Sequence, residues 1–163
     1  MRAAEPRSGL RIRPFEASDQ EAARRLILAG LGEHFGWIDE ARNPDLDDIA
    51  AYYVAPGHAF VVVQLGDELV GTGALVPEGE GAGRLVRMSV SSEHRRRGIG
   101  RALVDYLVAE ARRRGYWRLL VETNNDWCDA IGLYERCGFV EYDRDAESVY
   151  LALPLDGVLS AEC

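Results

Sequence analysis

No run of apolar residues in the 163-residue chain approaches the ~20 that a membrane-spanning helix needs. The opening Met1-Arg2-Ala3-Ala4-Glu5-Pro6-Arg7-Ser8 lacks the apolar core of a signal peptide. Together these absences set a cytoplasmic location without a membrane partner as the expectation. Cysteine is scarce too: Cys128, Cys137 and Cys163 form an odd set without Cys-x-x-Cys spacing, which argues against a disulfide framework or a zinc site. No metal is expected. Cys137 is expected to pack as a small apolar residue, since no histidine stands nearby to activate it. Excess positive charge is also lacking, and a net charge of −8 repels nucleic acid.

What is present is an ordinary globular composition with its cations gathered in places. At 47% apolar and 28% charged residues, the chain is long enough for one domain with a real core. That domain is expected over residues 1–163, with its core over about 9–153 and peripheral termini. Arginines cluster at 95–97 and 112–114. An acidic chain with one basic turn suits a discrete anionic cofactor better than a nucleic-acid surface.

Residues 84–115 organise the rest. Leu85, Val86, Met88 and Val90 read as a strand, and Arg95, Arg96, Arg97, Gly98 and Gly100 as a basic turn. Ile99, Leu103, Leu107 and Ala111 then mark one face of a helix at four-residue steps. Arg112, Arg113 and Arg114 suit the negative end of that helix, and Gly115 its stop. A strand turning through glycine into a helix presents unpaired N–H groups and partial positive charge to an anion. Glycines at 98 and 100 let a bulky anion reach the main chain, and Arg101 adds charge. A pyrophosphate cradle is predicted. It is not a Rossmann fingerprint, which needs a small residue where Leu103 stands, nor a Walker loop, since no Gly-Lys-Ser/Thr occurs. Taken alone, Arg95-x-x-Gly98-x-Gly100 is equally compatible with a basic turn capping an ordinary helix.

Upstream, Leu10, Ile12 and Phe15 alternate with Arg11 and Arg13 in a first strand ending near Pro14. Ser18-Asp19-Gln20-Glu21 reads as a capping box before a helix carrying Ala22, Leu26 and Ala29, with Gly30 to Gly32 as its stop. A second helix is predicted over 46–54, with Leu46, Ile49, Ala50 and Tyr53 on one face. Residues 59–65 and 69–76 form a hairpin across Gly66-Asp67-Glu68. After Gly115 a strand over 117–123 is reached through the helical crossover, so it pairs in parallel with a right-handed connection. A short helix carries Ala130, Ile131, Tyr134 and Cys137 up to Gly138. Residues 139–142 and 148–153 close the chain as a hairpin, with a peripheral tail after Pro154. The order β-α-α-β-β-β-α-β-α-β-β predicts an α/β fold of mixed α+β type, with a central mixed sheet of about seven strands and about four flanking helices.

Ala130-Ile131-Gly132-Leu133-Tyr134-Glu135-Arg136-Cys137-Gly138-Phe139 resembles a signature of the GNAT superfamily of N-acyltransferases, Ala-x-x-Leu-Tyr-x-x-x-Gly-Phe. Arg95-x-x-Gly98-x-Gly100 resembles that family's acyl-CoA signature, Gln/Arg-x-x-Gly-x-Gly/Ala, and the two stand in the family's order and spacing. The resemblance covers roughly residues 9–153. It implies a GNAT-like fold with a cofactor slot splayed open between two parallel central strands. It also implies acetyl-CoA (coenzyme A) as donor, a small-molecule or peptide amine as acceptor, direct attack without an acyl-enzyme, and a homodimer as in many relatives. The alternative is a non-catalytic acyl-CoA-binding or sensing domain, which keeps the cradle and lacks turnover.

By position, the resemblance places the main chain of Met88, Ser89 and Val90 beside the pantetheine arm, with the N–H near Val90 stabilising an oxyanion. The amides of Arg95, Arg96, Arg97, Gly98, Ile99, Gly100 and Arg101 fall on the pyrophosphate, and the Tyr134 hydroxyl near the thioester sulfur as general acid. The central strand lacks the glutamate many relatives use as base. Glu122, Glu33, His34 or a relayed water stand as alternatives. Trp127 occupies the place of a cofactor-contacting asparagine, leaving Asn124 or Asn125 to replace it. Phe35 and Trp37 are expected to wall the amine pocket beside His34, with Glu33 or Asp39 recognising a cation. A small satellite core under a loop is the other reading of that stretch.

Overall fold

The computed structural model describes residues 9–36 and 43–155. Seven strands occur in chain order: β1 Leu10–Pro14, β2 Ala59–Leu65, β3 Glu68–Pro77, β4 Ala82–Val90, β5 Arg118–Asn124, β6 Val140–Arg144 and β7 Ser148–Pro154. They form one sheet ordered β1-β2-β3-β4-β5-β7-β6. Helix α1 spans Gln20–Phe35, α2 Ile99–Arg113 and α3 Cys128–Arg136, with a π-helical turn over Ala50–Val54 and short 3₁₀ turns besides. Neighbouring strands are antiparallel except β4 and β5, which α2 joins as a crossover. This is the mixed α/β architecture predicted. Among the described residues, no helix is long and apolar enough to cross a membrane.

Both faces of the sheet centre are covered, which is why β2 reads as an unbroken apolar run. Side chains alternate along a strand. Val61 and Val63 therefore join the core under α2, while Phe60 and Val62 join the core under α1. The predicted α2 stripe is the buried one: Leu103, Leu107 and Ala111 are fully buried and Ile99 nearly so. Burying a leucine contributes about 1.5–3 kcal/mol, so this face alone anchors the crossover. Cys137 packs against the same core, as expected of a small apolar residue.

Local boundaries depart from prediction for identifiable reasons. Helix α1 runs through Gly30 and Gly32 and ends at Gly36, whose φ is +82° and whose N–H donates to the Gly32 carbonyl at 2.7 Å. Gly30 serves close packing instead: a Cβ there would stand 3.2 Å from Ser89 Oγ on β4. The helix entry is capped from Glu16, whose N–H donates to Asp19 Oδ2 at 2.8 Å, while Arg13 forks onto Asp19 at 2.8 and 3.0 Å. The predicted 46–54 helix is instead a 3₁₀ turn over Pro44–Asp47 followed by the π-helical turn. Gln20 interrupts it, donating to the Leu46 carbonyl at 2.7 Å and accepting the Ile49 N–H at 3.0 Å, groups a continuous helix would have used. Leu155, expected in the peripheral tail, is 4% exposed, and its N–H donates to the Trp117 carbonyl at 2.9 Å.

Candidate active site

The site begins where β4 and β5 part. Their pairing runs from Ala82↔Arg118 to Leu85↔Val121 and stops, although β4 continues to Val90 and β5 to Asn124. The cause is a bulge in β4. Thr72 pairs with Ser89 and Ala74 with Val86, so Gly73 alone opposes both Arg87 and Met88. Arg87 takes φ +55°, and Thr72 Oγ1 donates to its carbonyl at 2.8 Å. A Cβ on Gly73 would lie 2.8 Å from Met88 Sδ and 3.0 Å from Leu107 Cδ1, so any larger residue opposite the bulge would have to displace those two side-chain ends.

The extra residue resets the phase of the strand. Val86 packs toward the α1 core and Arg87 reaches the same side; Met88 and Val90 then pack toward the α2 core, with Ser89 against Gly30. Ser91 donates its N–H to the Val70 carbonyl on the β3 side at 2.8 Å. Successive N–H groups of a strand point to opposite edges, so that of Val90 faces the gap left by β5.

Beyond Val90 the chain turns into α2 as predicted. Gly98 caps the helix at φ +83°, with no heavy atom within 4 Å of where a Cβ would stand. The first α2 N–H groups thus open onto free space at the positive end of the helix. A Cβ on Gly100 would meet Leu133 at 3.1 Å, which lets α3 close against the turn. Arg95 folds back, donating from Nε to the Val90 carbonyl at 3.1 Å and pairing with Glu33 at 2.7 Å.

A cleft of about 690 Å³ runs from this turn through the splay. It is walled by Ile27 and Leu31 of α1 on one face of the sheet and by Leu133 and Tyr134 of α3 on the other, so it passes between the strand ends. Met88, Ser89, Val90, Arg95, Arg96, Gly98, Ile99, Gly100 and Arg101 all line it, while Arg97 and Asn124 do not. Asn124 instead pairs with Ser148, and its carbonyl accepts the Trp127 N–H at 3.0 Å. Asn125 donates to the Ala146 carbonyl at 2.8 Å. Tyr134 is 5% exposed and packs edge-on against Phe139 at 5.5 Å. Burial, then the nearby Cys137, pushes its phenol well above the usual range, so the hydroxyl keeps its proton at neutral pH.

The candidates on the amine side are dispersed. Glu122 lines the cleft, with one carboxylate oxygen accepting from Arg84 at 3.2 Å and the other from Ser148 at 3.0 Å. Glu33 and His34 line a smaller pocket of about 350 Å³ that shares Gly30, Arg95 and Trp127 with the cleft. His34 stacks on Trp127 at 4.0 Å and 8°, its Nε2 lies 3.3 Å from Asp126, and Phe35 meets Trp127 edge-on. The satellite aromatic cluster is thus present, and it spans from α1 to the β5–α3 loop. Trp37 and Asp39 lie outside the described residues. Sequence reasoning missed Asp45, which takes the Arg87 fork and the Tyr53 hydroxyl. It also passed over His94, whose buried Nδ1 has no partner among the described residues and which lines the cleft.

Residues 18–139 match the Acetyltransferase (GNAT) family. Human N-acetyltransferase 8B is 34% identical over 109 residues, 63% of this chain and 48% of that protein; the chain spans about half the length of such mammalian relatives. The N-acetyltransferase YjgM of Escherichia coli K12, itself uncharacterised, is 33% identical over 81% of this chain and 83% of its own. Among solved structures, a GNAT-family acetyltransferase from Staphylococcus aureus Mu50 superposes with a TM-score of 0.82 at 22% identity, covering 90% of this chain and 99% of that one. The yncA structure from Salmonella typhimurium, described with its cofactor acetyl-CoA, gives 0.77 at 22% identity, covering 91% and 95%.

Proposed function

Because this chain belongs to the Acetyltransferase (GNAT) family, we propose that it is an N-acetyltransferase that passes the acetyl group of acetyl-CoA to a primary amine by direct attack. The observation that carries this is the cleft that crosses the sheet at the splay, with an anion cradle at one end and Tyr134 in its wall. The residues present fit the donor. The unpaired α2 amides beside Gly98, with open space above them, suit a diphosphate, and the free edge of β4 suits an amide-bearing arm. The donor supplies an activated thioester.

The chain's own groups do the rest. The Val90 N–H faces the gap and is placed to stabilise negative charge developing on the carbonyl oxygen. Tyr134 holds a proton for the departing sulfur; the dry pocket that raises its own basicity raises that of a thiolate in the same way. Glu122 is the proton acceptor at the amine end, its carboxylate oriented by Arg84 and Ser148. Glu33 and His34 form the outer wall that selects the amine, with Phe35, which lines neither pocket, packed edge-on against His34 and Trp127. A cytoplasmic homodimer with one catalytic domain per chain belongs to the same reading and is checked by sizing in solution.

The test is thiol release from acetyl-CoA with a panel of amines and peptide N-termini. Since the chain contains no lysine, release that depends on added amine reports on that amine and not on side chains of the protein. Binding of acetyl-CoA with no amine ever consumed replaces this reading with a sensing domain, in which Tyr134→Phe has no effect.

A further inference from the structure

Arg87 has no role in the chemistry above, yet it stands in an unusual state. It is one of two described non-glycine residues with positive φ, and it sits in the central strand rather than in a turn. Any residue with a Cβ is disfavoured there. The surrounding contacts are enough to hold it. Its guanidinium grips Asp45 as a fork, Nε to Oδ2 at 2.9 Å and Nη2 to Oδ1 at 2.7 Å, and Nη2 also donates to Asn43 Oδ1 at 3.1 Å. Tyr53 donates to Asp45 Oδ2 at 2.5 Å. The pair is well shielded, with the two side chains 19% and 16% exposed. Burial pushes the Asp45 carboxyl up, but the hydrogen bonds from Arg87 and Tyr53 outweigh it, and the group stays ionised below the ordinary range.

The bulge decides which way the end of β4 faces. Without the extra residue the strand slips by one, Met88 and Val90 swing to the α1 face, and the Val90 N–H turns toward β3. We propose that Arg87 is a positioning residue: its fork on Asp45 holds the left-handed bulge of β4 and so keeps the Val90 edge turned into the slot. Asp45 lies on the connection between α1 and β2, so a segment whose described residues do not line the cleft sets the geometry of the strand end that does. The binding readout of this inference rests on the proposed coenzyme A site; its second readout does not.

The experiment compares Arg87→Ala with Arg87→Gly, both in an Asp45→Asn background so that neither leaves an unpaired buried carboxylate. Glycine adopts positive φ freely and alanine does not. The expected result is coenzyme A affinity about tenfold weaker with Arg87→Ala and within about threefold of the parent with Arg87→Gly. In ligand-free protein, amide hydrogen exchange at Ser89 and Ser91, whose N–H groups face β3, should accelerate about tenfold in the alanine variant alone. Equal losses in both variants mean that the guanidinium acts through its charge or touches the ligand, and overturn the proposal. So does an unchanged exchange pattern in both. If the parent binds no coenzyme A, the proposed function fails while the exchange comparison still decides this inference.

Discussion

The two ends of the cleft are made of different material. The end proposed for the cofactor is main chain: the opening N–H groups of α2, the Gly98 corner and the free edge of β4. The end proposed for the amine is side chains already committed to one another, Glu122 to Arg84 and Ser148, Glu33 to Arg95, His34 to Trp127 and Asp126. A main-chain site is indifferent to most side chains and demands only glycine at fixed spacing. A side-chain site changes its chemistry with each substitution. One fold can therefore keep its donor and vary its acceptor.

The sharpest way to break this contrast is at the junction. Tyr134→Phe should lower kcat by about 100-fold or more while leaving coenzyme A affinity within error, measured by steady-state kinetics and calorimetry. A loss of affinity instead would make Tyr134 a packing residue of the cofactor end. At that end, Gly98→Val forces a β-branched residue into φ +83° and fills the open corner. Coenzyme A binding should weaken about tenfold with KM for the amine unmoved. At the other end, Glu122→Gln should reduce kcat/KM for the amine about fivefold, because a water can relay the proton in place of a carboxylate already engaged by Arg84 and Ser148, with coenzyme A binding unchanged.

The smallest expected effect is a control remote from both ends. The hydrogen-bonded fork from Arg13 is the main reason the Asp19 carboxyl titrates below its ordinary value, against a smaller opposing push from burial. A carboxyl lowered in the folded state stabilises the protein above its unfolded pKa and loses that contribution as pH falls through the folded one. Asp19→Asn should therefore cost about 1 kcal/mol in urea unfolding at pH 7, with the gap narrowing below pH ~3.9. Turnover by the folded enzyme should not change.

Legibility follows the same division. The cradle was readable because Gly98, Gly100 and the four-residue step from Ile99 to Ala111 are local facts, and α2 forms where they say. The place of Tyr134 on a short helix that ends before Gly138 was readable from local spacing, and it is there that the residue lines the cleft. By contrast, Gly30 and Gly32 suggested a helix end because nothing local shows that Ser89 packs against that face. The 46–54 helix was overcalled because its competitor, Gln20, lies 26 residues before Leu46. No sequence signal marks Arg87 as a bulge residue, since its partner Asp45 is 42 positions away.

Alone, the sequence determined the order of the strands, the buried stripe of α2 and the glycine-bearing turn that opens it. These rest on periodicity and backbone sterics within a few residues. It did not determine the face of α1, which buries Ala23, Ile27 and Leu28 rather than Ala22, Leu26 and Ala29. Only the tertiary structure decided where β4 slips its phase, which carboxylates are already engaged, and which aromatic rings stack together across α1 and the β5–α3 loop. Those outcomes come from contacts between distant segments, whose geometry exists only once the sheet has assembled.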